Sequence, residues 1–217
     1  MLKNFQRAIT LTTISCLTLG LTNPVKAASL DLTSWETLGD VNLVSNNQVL
    51  LSNDADLDDD YQLGAASGTF NFSDTPAVDN FFGDLEFFLG LNPYSLSQSG
   101  EAYEGSVLKT ILTVKAGDEL SFDWNFFTNE TSTLLPEFLN DTAFLLVDSQ
   151  IIKLADVADS TSASSLFDSE TGLQSYTYQF TEAGNYTIGF GVLDIDDPTN
   201  SSALSVSNLT LNTPSDS

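Results

Sequence analysis

The sequence has 217 residues, of which 30 are acidic and six basic, with no histidine and a single cysteine, and its formal charge at neutral pH is −24. So few cations argue against binding to nucleic acid, which depends on neutralising phosphates, and against anionic membranes. The absence of histidine removes Ser-His-Asp catalysis and histidine general-base chemistry.

The N-terminus has the pattern of an export signal. After a basic start, an apolar stretch runs over residues 8–21, and Val25-Lys26-Ala27 supplies small residues where a signal peptidase cleaves. The apolar stretch is too short and too polar for a membrane span. We therefore expect residues 1–27 to be a signal peptide, and residues 28–217 to form a single secreted domain, extracellular or periplasmic, without a membrane span.

Processing makes the composition more extreme. The remaining chain has three lysines against 30 acidic residues, a formal charge of −27, and no arginine, histidine or cysteine. Stability must then come from a hydrophobic core, helped by cations, rather than from disulfides. Thiol nucleophiles and Cys/His zinc sites are also absent, so the remaining catalytic route is a carboxylate pair, as in glycoside hydrolysis.

The first half of the mature chain is the less regular one. Residues 49–51 and 68–72 have the composition of strands. Between residues 78 and 91, apolar side chains at spacings of three and four predict a short helix with one buried stripe. The members of that stripe are Phe81, Phe82, Leu85, Phe88 and Leu89.

Strand patterns dominate the second half. Residues 120–126 alternate apolar and polar side chains, the pattern of a strand with one buried face, and residues 204–211 are predicted to form the closing strand. Short turns containing Gly, Asn or Asp predict three hairpins. These hairpins join residues 107–115 to 119–126, 143–147 to 151–154, and 176–180 to 186–192.

Several short strands at near-regular spacing predict an all-β fold. We expect two packed antiparallel sheets in a jelly-roll-like sandwich, with one short helix in the N-terminal half. We find no internal repeat and no linker.

Oxygen ligands of the kind that calcium prefers lie just before or after several predicted strands. Because alternate strand ends of a sandwich meet at the same rim, these residues are predicted to converge on one calcium ion. Acidic residues also occur simply as turn formers, which is the alternative interpretation. The predicted ligands are Glu130, Asn140, Asp141, Asp194, Asp196 and Asp197.

A weaker candidate calcium site is the acidic run that contains Asp54, Asp56 and Asp58. Its spacing is that of the start of an EF-hand loop. Asp59 stands where that loop needs glycine, and Ala65 where it needs a bidentate glutamate, so a solvated acidic loop is the better interpretation.

Four aromatic residues outside the alternating runs are candidates for stacking against sugar rings, with partly buried packing positions as the alternative. They are Trp35, Tyr61, Tyr94 and Tyr103.

Six segments carry a family resemblance: residues 105–110, 114–126, 129–130, 140–144, 183–192 and 201–204. In this order they resemble a β-sandwich module of bacterial exported proteins, found in exosortase-sorted (PEP-CTERM) proteins and in some large surface adhesins. The resemblance implies a role in the envelope, the matrix or the medium, usually without a defined activity. Sorted members end in Pro-Glu-Pro, a hydrophobic helix and a basic tail, whereas this chain ends at residues 213–217 without them, so we expect release or loose association rather than anchoring.

These observations lead to one functional hypothesis with two alternatives. We expect a non-enzymatic binding or structural protein of the extracellular matrix or cell envelope, stabilised by calcium and binding polysaccharide or other cell-surface components. The first alternative is a glycan-degrading enzyme that uses a carboxylate pair. The second is a matrix component that self-associates through its sheet edges.

Overall fold

The computed structural model describes residues 25–55, 70–130, 140–196 and 200–214. Single 3₁₀ turns occupy Leu32–Ser34 and Val157–Asp159. The strands and the helix are, in chain order, β1 (Val25–Ser29), β2 (Glu36–Leu38), β3 (Asp40–Ser45), β4 (Gln48–Ser52), β5 (Val78–Asp79), α1 (Asp84–Leu89), β6 (Ala102–Val114), β7 (Glu119–Thr128), β8 (Thr142–Val147), β9 (Gln150–Asp156), β10 (Ser162–Ala163), β11 (Ser169–Glu170), β12 (Gln174–Gln179), β13 (Gly184–Ile195) and β14 (Ser202–Pro214).

The strands form two antiparallel sheets. The larger sheet has the order β10-β11-β7-β14-β4-β3, with β12 also on β7 and β1 also on β14. The smaller sheet has the order β2-β6-β13-β8-β9, with β5 also on β6. The predicted all-β sandwich is therefore confirmed, and it follows from strands whose apolar residues recur at every second position.

The core between the sheets depends on β7 and β13. Along β7 every second side chain is buried and those between are half exposed, as the alternation predicted. From β7, Phe122 packs edge-on against Phe190 of β13 with ring centroids 4.9 Å apart, and Trp35 stacks on the same Phe190 at 6.0 Å. Aromatic contacts thus join the two sheets at their centre.

A second apolar cluster lies on the outer face of the smaller sheet, where α1 covers it. Leu85 and Leu89 of α1 pack there with Phe144 of β8 and Leu193 of β13. Gly191 makes room for this layer, because a Cβ built at that position would lie 2.5 Å from the Phe144 ring. The smaller sheet is thus covered on both faces.

Two of the three predicted hairpins are wrong. β6 and β7 belong to different sheets, and so do β12 and β13, so the turns between them are corners that carry the chain from one sheet to the other. The two corners bond to each other: Gly117 N donates to Phe180 O at 2.7 Å, and Phe180 N donates to Asp118 O at 2.8 Å. Turn composition predicts a reversal of direction but does not say which strand lies beside which.

The third predicted hairpin, β8–β9, is confirmed, as are the strands at residues 49–51 and 204–211. The helix is shorter than predicted: Val78–Asp79 form β5, and α1 begins only at Asp84. Residues 70–72 are not a strand, and the rest of that predicted strand lies outside the described residues.

β1 includes residues that the sequence assigns to the export signal. Val25 to Ala27 pair with Pro214 to Asn212, whereas Ala28 and Ser29 pair with Leu211 and Thr210. Cleavage after Ala27 would therefore leave two residues of β1 in the sheet. Within the described residues, no helix has the length and apolar character that a bilayer crossing requires.

The sandwich predicts that two isoleucines of the smaller sheet contribute very different amounts to the free energy of unfolding. Ile188 is fully buried in the core, whereas Ile111 is 68% exposed. Ile188→Ala should lower the free energy of unfolding by about 2–5 kcal/mol because it leaves a cavity. The matched control Ile111→Ala should cost less than about 1 kcal/mol. Chemical denaturation of both variants checks this, and equal losses would contradict the assignment of the core.

Candidate functional site

Four polar side chains from both sheets meet at one rim of the sandwich, and we call them the rim cluster. Each is at most 4% exposed. The larger sheet contributes the residues that follow β4 and β7, and the smaller sheet contributes one residue before β8 and one near the end of β13. The cluster consists of Asn53, Glu130, Asp141 and Asp194.

One amide group bridges two carboxylates in the rim cluster. Asn53 Nδ2 donates to Asp141 Oδ2 at 2.9 Å and to Asp194 Oδ2 at 3.4 Å. Asn53 Oδ1 accepts from the backbone N–H of Ser202 at 2.6 Å, which fixes the direction of the amide. Asp141 and Asp194 therefore share the Asn53 amide as a hydrogen-bond donor.

Glu130 joins the same polar region from the end of β7. Its Oε1 accepts from Asn200 Nδ2 at 3.3 Å, and its backbone N–H donates to Thr128 Oγ1 at 2.9 Å. The hydroxyl oxygens of Ser202 and Thr128 lie 2.8 Å apart, which links Glu130 to β14, the strand that carries the Asn53 contact.

The electrostatics of the cluster are unfavourable for full ionisation. Burial raises the pKa of Asp141 well above its ordinary value, hydrogen bonds from Ser202 and Asn53 oppose the rise, and the charge of Glu130 adds to it. The ion pairs of Lys109 and Lys153 lie elsewhere, with Glu36, Asp156 and Asp159. The rim cluster thus concentrates negative charge where water cannot solvate it.

Two polar residues at the rim, Asn53 and Glu104, were not predicted from the sequence. Glu104 of β6 lies directly opposite Asp194 of β13 and is only 8% exposed, so two acidic residues occupy facing positions on adjacent strands. Asn53 was missed although it lies only two residues after the predicted strand at residues 49–51, a position that could have singled it out. Glu104 gave no such signal, because its partner depends on strand register.

Of the six predicted rim ligands, the structure brings together Glu130, Asp141 and Asp194. Asn140 instead donates to Asp156 Oδ2 at 3.3 Å, and Asp196 Oδ1 accepts from the backbone N–H of Glu101 at 2.7 Å. Asp197 lies outside the described residues.

The second candidate calcium site is described only at Asp54. This residue is 1% exposed, its backbone N–H donates to Ser52 Oγ at 3.1 Å, and its carbonyl accepts from Ala77 N at 3.0 Å. Asp56 and Asp58 lie outside the described residues. Asp54 therefore directly follows Asn53 of the rim cluster in the sequence, while the calcium site at the acidic run stays a prediction.

The donor set of the rim fits calcium in kind, because carboxylate and amide oxygens are the ligands that this ion prefers. Within the described ranges, no three acidic side chains already surround a common point as a metal site. An ion at the rim would therefore take amide, backbone or water oxygens in addition to carboxylates, as calcium sites commonly do.

A different surface lies around α1, and we call it the aromatic tip. Its side chains are between 70% and 87% exposed. Phe81 and Phe82 form an edge-to-face pair with ring centroids 5.0 Å apart. The aromatic tip consists of Phe81, Phe82, Phe87 and Tyr94.

The backbone under the aromatic tip is firmly held. Gly90, at a φ of 77°, ends α1 and donates to the carbonyls of Glu86 and Phe87. Lys109 Nζ donates to the carbonyl of Phe88 and lies 4.7 Å from the centroid of the Phe88 ring. Phe87 therefore stands on an anchored helix, and the other three rings lie in the turns just before and after it.

The aromatic residues predicted to stack on sugars have different positions. Trp35 is 7% exposed and belongs to the core, whereas Tyr94 and Tyr103 are 78% and 39% exposed. Tyr61 lies outside the described residues.

The predicted buried stripe is wrong at Phe81 and Phe82, which are exposed, and the equally exposed Phe87 was not predicted as a candidate. The sequence held a signal for this exposure, because residues 81–82 and 87–88 are adjacent phenylalanine pairs. Neighbours in a helix point about 100° apart, so the two members of such a pair point in different directions.

No protein-family profile matches the chain, and the search of curated protein sequences finds no relative. Among solved structures, a carbohydrate-binding module studied for specific mannan recognition is 12% identical, with 88% of this chain and 99% of that chain covered and a TM-score of 0.39. A module in complex with β-1,4-galactotriose is 11% identical, with 85% and 91% covered and a TM-score of 0.34. A Paenibacillus cycloisomaltooligosaccharide glucanotransferase is 20% identical, with 53% and 14% covered and a TM-score of 0.27. Similarities this distant assign no function.

The rim cluster predicts how the stability of the metal-free protein depends on pH. Because the native pKa of Asp141 is raised, the stability that this group contributes is complete below its unfolded pKa of about 4 and is lost as the pH rises through the native value. In excess chelator, wild type should therefore lose stability relative to Asp141→Asn as the pH rises from about 4 to 8, by roughly 1 kcal/mol or more.

Chemical denaturation at a series of pH values measures this difference. The exposed Asp168→Asn serves as the matched control and should track wild type throughout. A stability difference between wild type and Asp141→Asn that stays constant over the whole pH range would contradict the assignment.

Proposed function

We propose that the protein is a non-enzymatic binding protein of the cell exterior that holds a neutral polysaccharide on its aromatic tip. One observation carries the proposal: within the described residues, every exposed aromatic side chain lies between residues 81 and 103. Aromatic residues elsewhere in those ranges are buried or half buried. Concentrated exposure of this kind marks a binding surface.

Aromatic rings suit sugars because they present a flat apolar face to the C–H groups of a pyranose ring, and each ring covered removes a large apolar area from water. The ligand is neutral because the tip is flanked by Asp79 and Asp84, and the nearby Lys109 is already engaged by the Phe88 carbonyl and by Glu36. Acidic polysaccharides and anionic lipid surfaces would be repelled. The export signal predicted for residues 1–27 supports a location outside the cell.

Calcium at the rim is part of the proposal. The rim cluster gathers three carboxylates in a buried setting, and a divalent cation would neutralise them more completely than the Asn53 amide does. Such an ion would connect β4, β7, β8 and β13, and so would stabilise both sheets.

The enzymatic alternative finds no support at the rim cluster. Asp141, whose raised pKa would suit a general acid, is 1% exposed, and its oxygens accept from Asn53 Nδ2 and from the backbone N–H of Ile195. A general acid must come within hydrogen-bond reach of the substrate. The geometry therefore suits a structural carboxylate better than a catalytic one.

The aromatic tip can be tested by substitution. Phe82→Ala, Phe87→Ala and Tyr94→Ala should each weaken binding to a neutral polysaccharide by roughly 5- to 100-fold, since each removes about 1–3 kcal/mol of apolar contact. Affinity electrophoresis through gels containing mannan, galactan, dextran or the anionic polymer alginate measures this.

Ile111→Ala removes an apolar side chain outside the tip that is also largely exposed, at 68%, and should bind like wild type. If no neutral polysaccharide slows the migration of the wild-type protein, the proposed function is refuted.

Calcium binding is tested by thermal unfolding. Added calcium should raise the midpoint over that in excess chelator by several degrees, because a ligand of the native state stabilises it by mass action. Asp194→Asn should reduce that rise, whereas Asp168→Asn should leave it intact. Identical wild-type midpoints with calcium and with chelator would remove calcium from the proposal.

A further inference from the structure

The outer face of the larger sheet carries a network of polar side chains on β12, β7 and β14, and we call it the polar face. Ser175 Oγ of β12 donates to Asp123 Oδ1 of β7 at 2.5 Å, and Asn208 Nδ2 of β14 donates to Asp123 Oδ2 at 2.7 Å. At the next pair of positions on the same face, the hydroxyls of Ser121 and Thr177 are 3.0 Å apart. These bonds fix side-chain rotamers before any ligand arrives.

A β-bulge places Asn208 in this network. The pairing of β14 with β7 shifts register between Ser207 and Thr210, and Asn208 adopts a left-handed backbone with a φ of 55°. Asn47 holds this bulge, because its backbone carbonyl accepts from Asn208 N at 3.2 Å and its Oδ1 accepts from Leu209 N at 2.8 Å. Bulges redirect side chains at functional sites, and the left-handed backbone has an energetic cost that such a site explains.

The chemistry of the polar face matches hydroxyl groups. The hydrogen bonds from Ser175 and Asn208 hold the pKa of Asp123 below its usual value, so the carboxylate is ionised and each oxygen keeps a lone pair for a further donor. Sugar hydroxyls both donate and accept, as this mixed set of groups requires. Phosphates would need cations, and protein hot spots are enriched in aromatic residues and arginine, neither of which the network contains.

The polar face and the aromatic tip lie on opposite sides of the sandwich. Phe87 of the tip lies on α1, which packs on the outer face of the smaller sheet through Leu85 and Leu89, and the other tip residues lie in the turns that flank α1. Asp123 points away from the core on the larger sheet, between the buried Phe122 and Trp124. One glycan chain lying across either face cannot contact the other face without bending round the domain.

We propose that Asp123, Ser175 and Asn208 form a second binding site, for the hydroxyl groups of a neutral glycan, so that one protein molecule bridges two polysaccharide chains. This inference rests on the proposed function, in which the aromatic tip binds a glycan of the same class. Two outward-facing sites on a rigid domain turn a binder into a cross-linker, and they gain avidity on a surface that presents many chains.

The test uses beads coated with mannan, galactan or dextran, together with soluble polysaccharide of the same kind. Wild type should aggregate the beads that it binds. Asn208→Gly removes the amide while glycine suits the left-handed backbone, so the fold should be retained, as thermal unfolding will verify. Asn208→Gly and Ser175→Ala should still bind soluble polysaccharide through the tip, but should lose aggregation and about 10²-fold in apparent affinity for coated beads.

Thr113→Ala is the matched control, because Thr113 Oγ1 donates to Asn185 Oδ1 at 2.7 Å in an exposed cross-strand pair of the smaller sheet. This variant should aggregate beads like wild type. Aggregation that survives in Asn208→Gly, or wild-type binding without aggregation, would overturn the second site and leave the proposed function standing. Absence of wild-type binding to every coated bead would overturn both.

Discussion

The contact between β7 and β13 is the interaction on which the rest of the structure depends. Phe122 of β7 meets Phe190 of β13 at the centre of the core, and this contact keeps the two sheets face to face. Because side chains alternate along β7, burying Phe122 and Trp124 forces Asp123 to the outside. The same strand ends at Thr128, beside Glu130, so one element positions the core, the polar face and part of the rim.

A chain with almost no cations must stabilise its buried carboxylates with neutral donors. Asp40 shows how this works: it is fully buried and accepts from Ser52 Oγ and from the backbone N–H groups of Phe72 and Ser73 at 2.6–2.8 Å. In the rim cluster two carboxylates share the Asn53 amide, and Asp141 also accepts from the backbone N–H of Ile195. Neutral donors thus serve buried carboxylates at both places.

The sequence allowed the sandwich to be predicted because its strongest strands have a clear period of two, as in residues 120–126. The corners at Gly117 and near Phe180 were wrongly predicted to be hairpins, because turn residues indicate a change of chain direction but not which strands pair. Three rim acids were found from their places at strand ends. Glu104 and Asn208 were not found, because strand register and a bulge determine their neighbours, and neither leaves a mark in local sequence.

The two corners have a consequence for how the chain reaches its native state. Since β6 and β7 do not pair, although only a short turn separates them, each must find partners far along the chain: Leu108 pairs with Phe190, and Phe126 with Leu204. Large loops must close before these contacts repay the entropy that closure costs. A topology of this kind folds slowly. A newly made chain therefore stays unfolded for longer, and during that time its unpaired strand edges can pair incorrectly or aggregate.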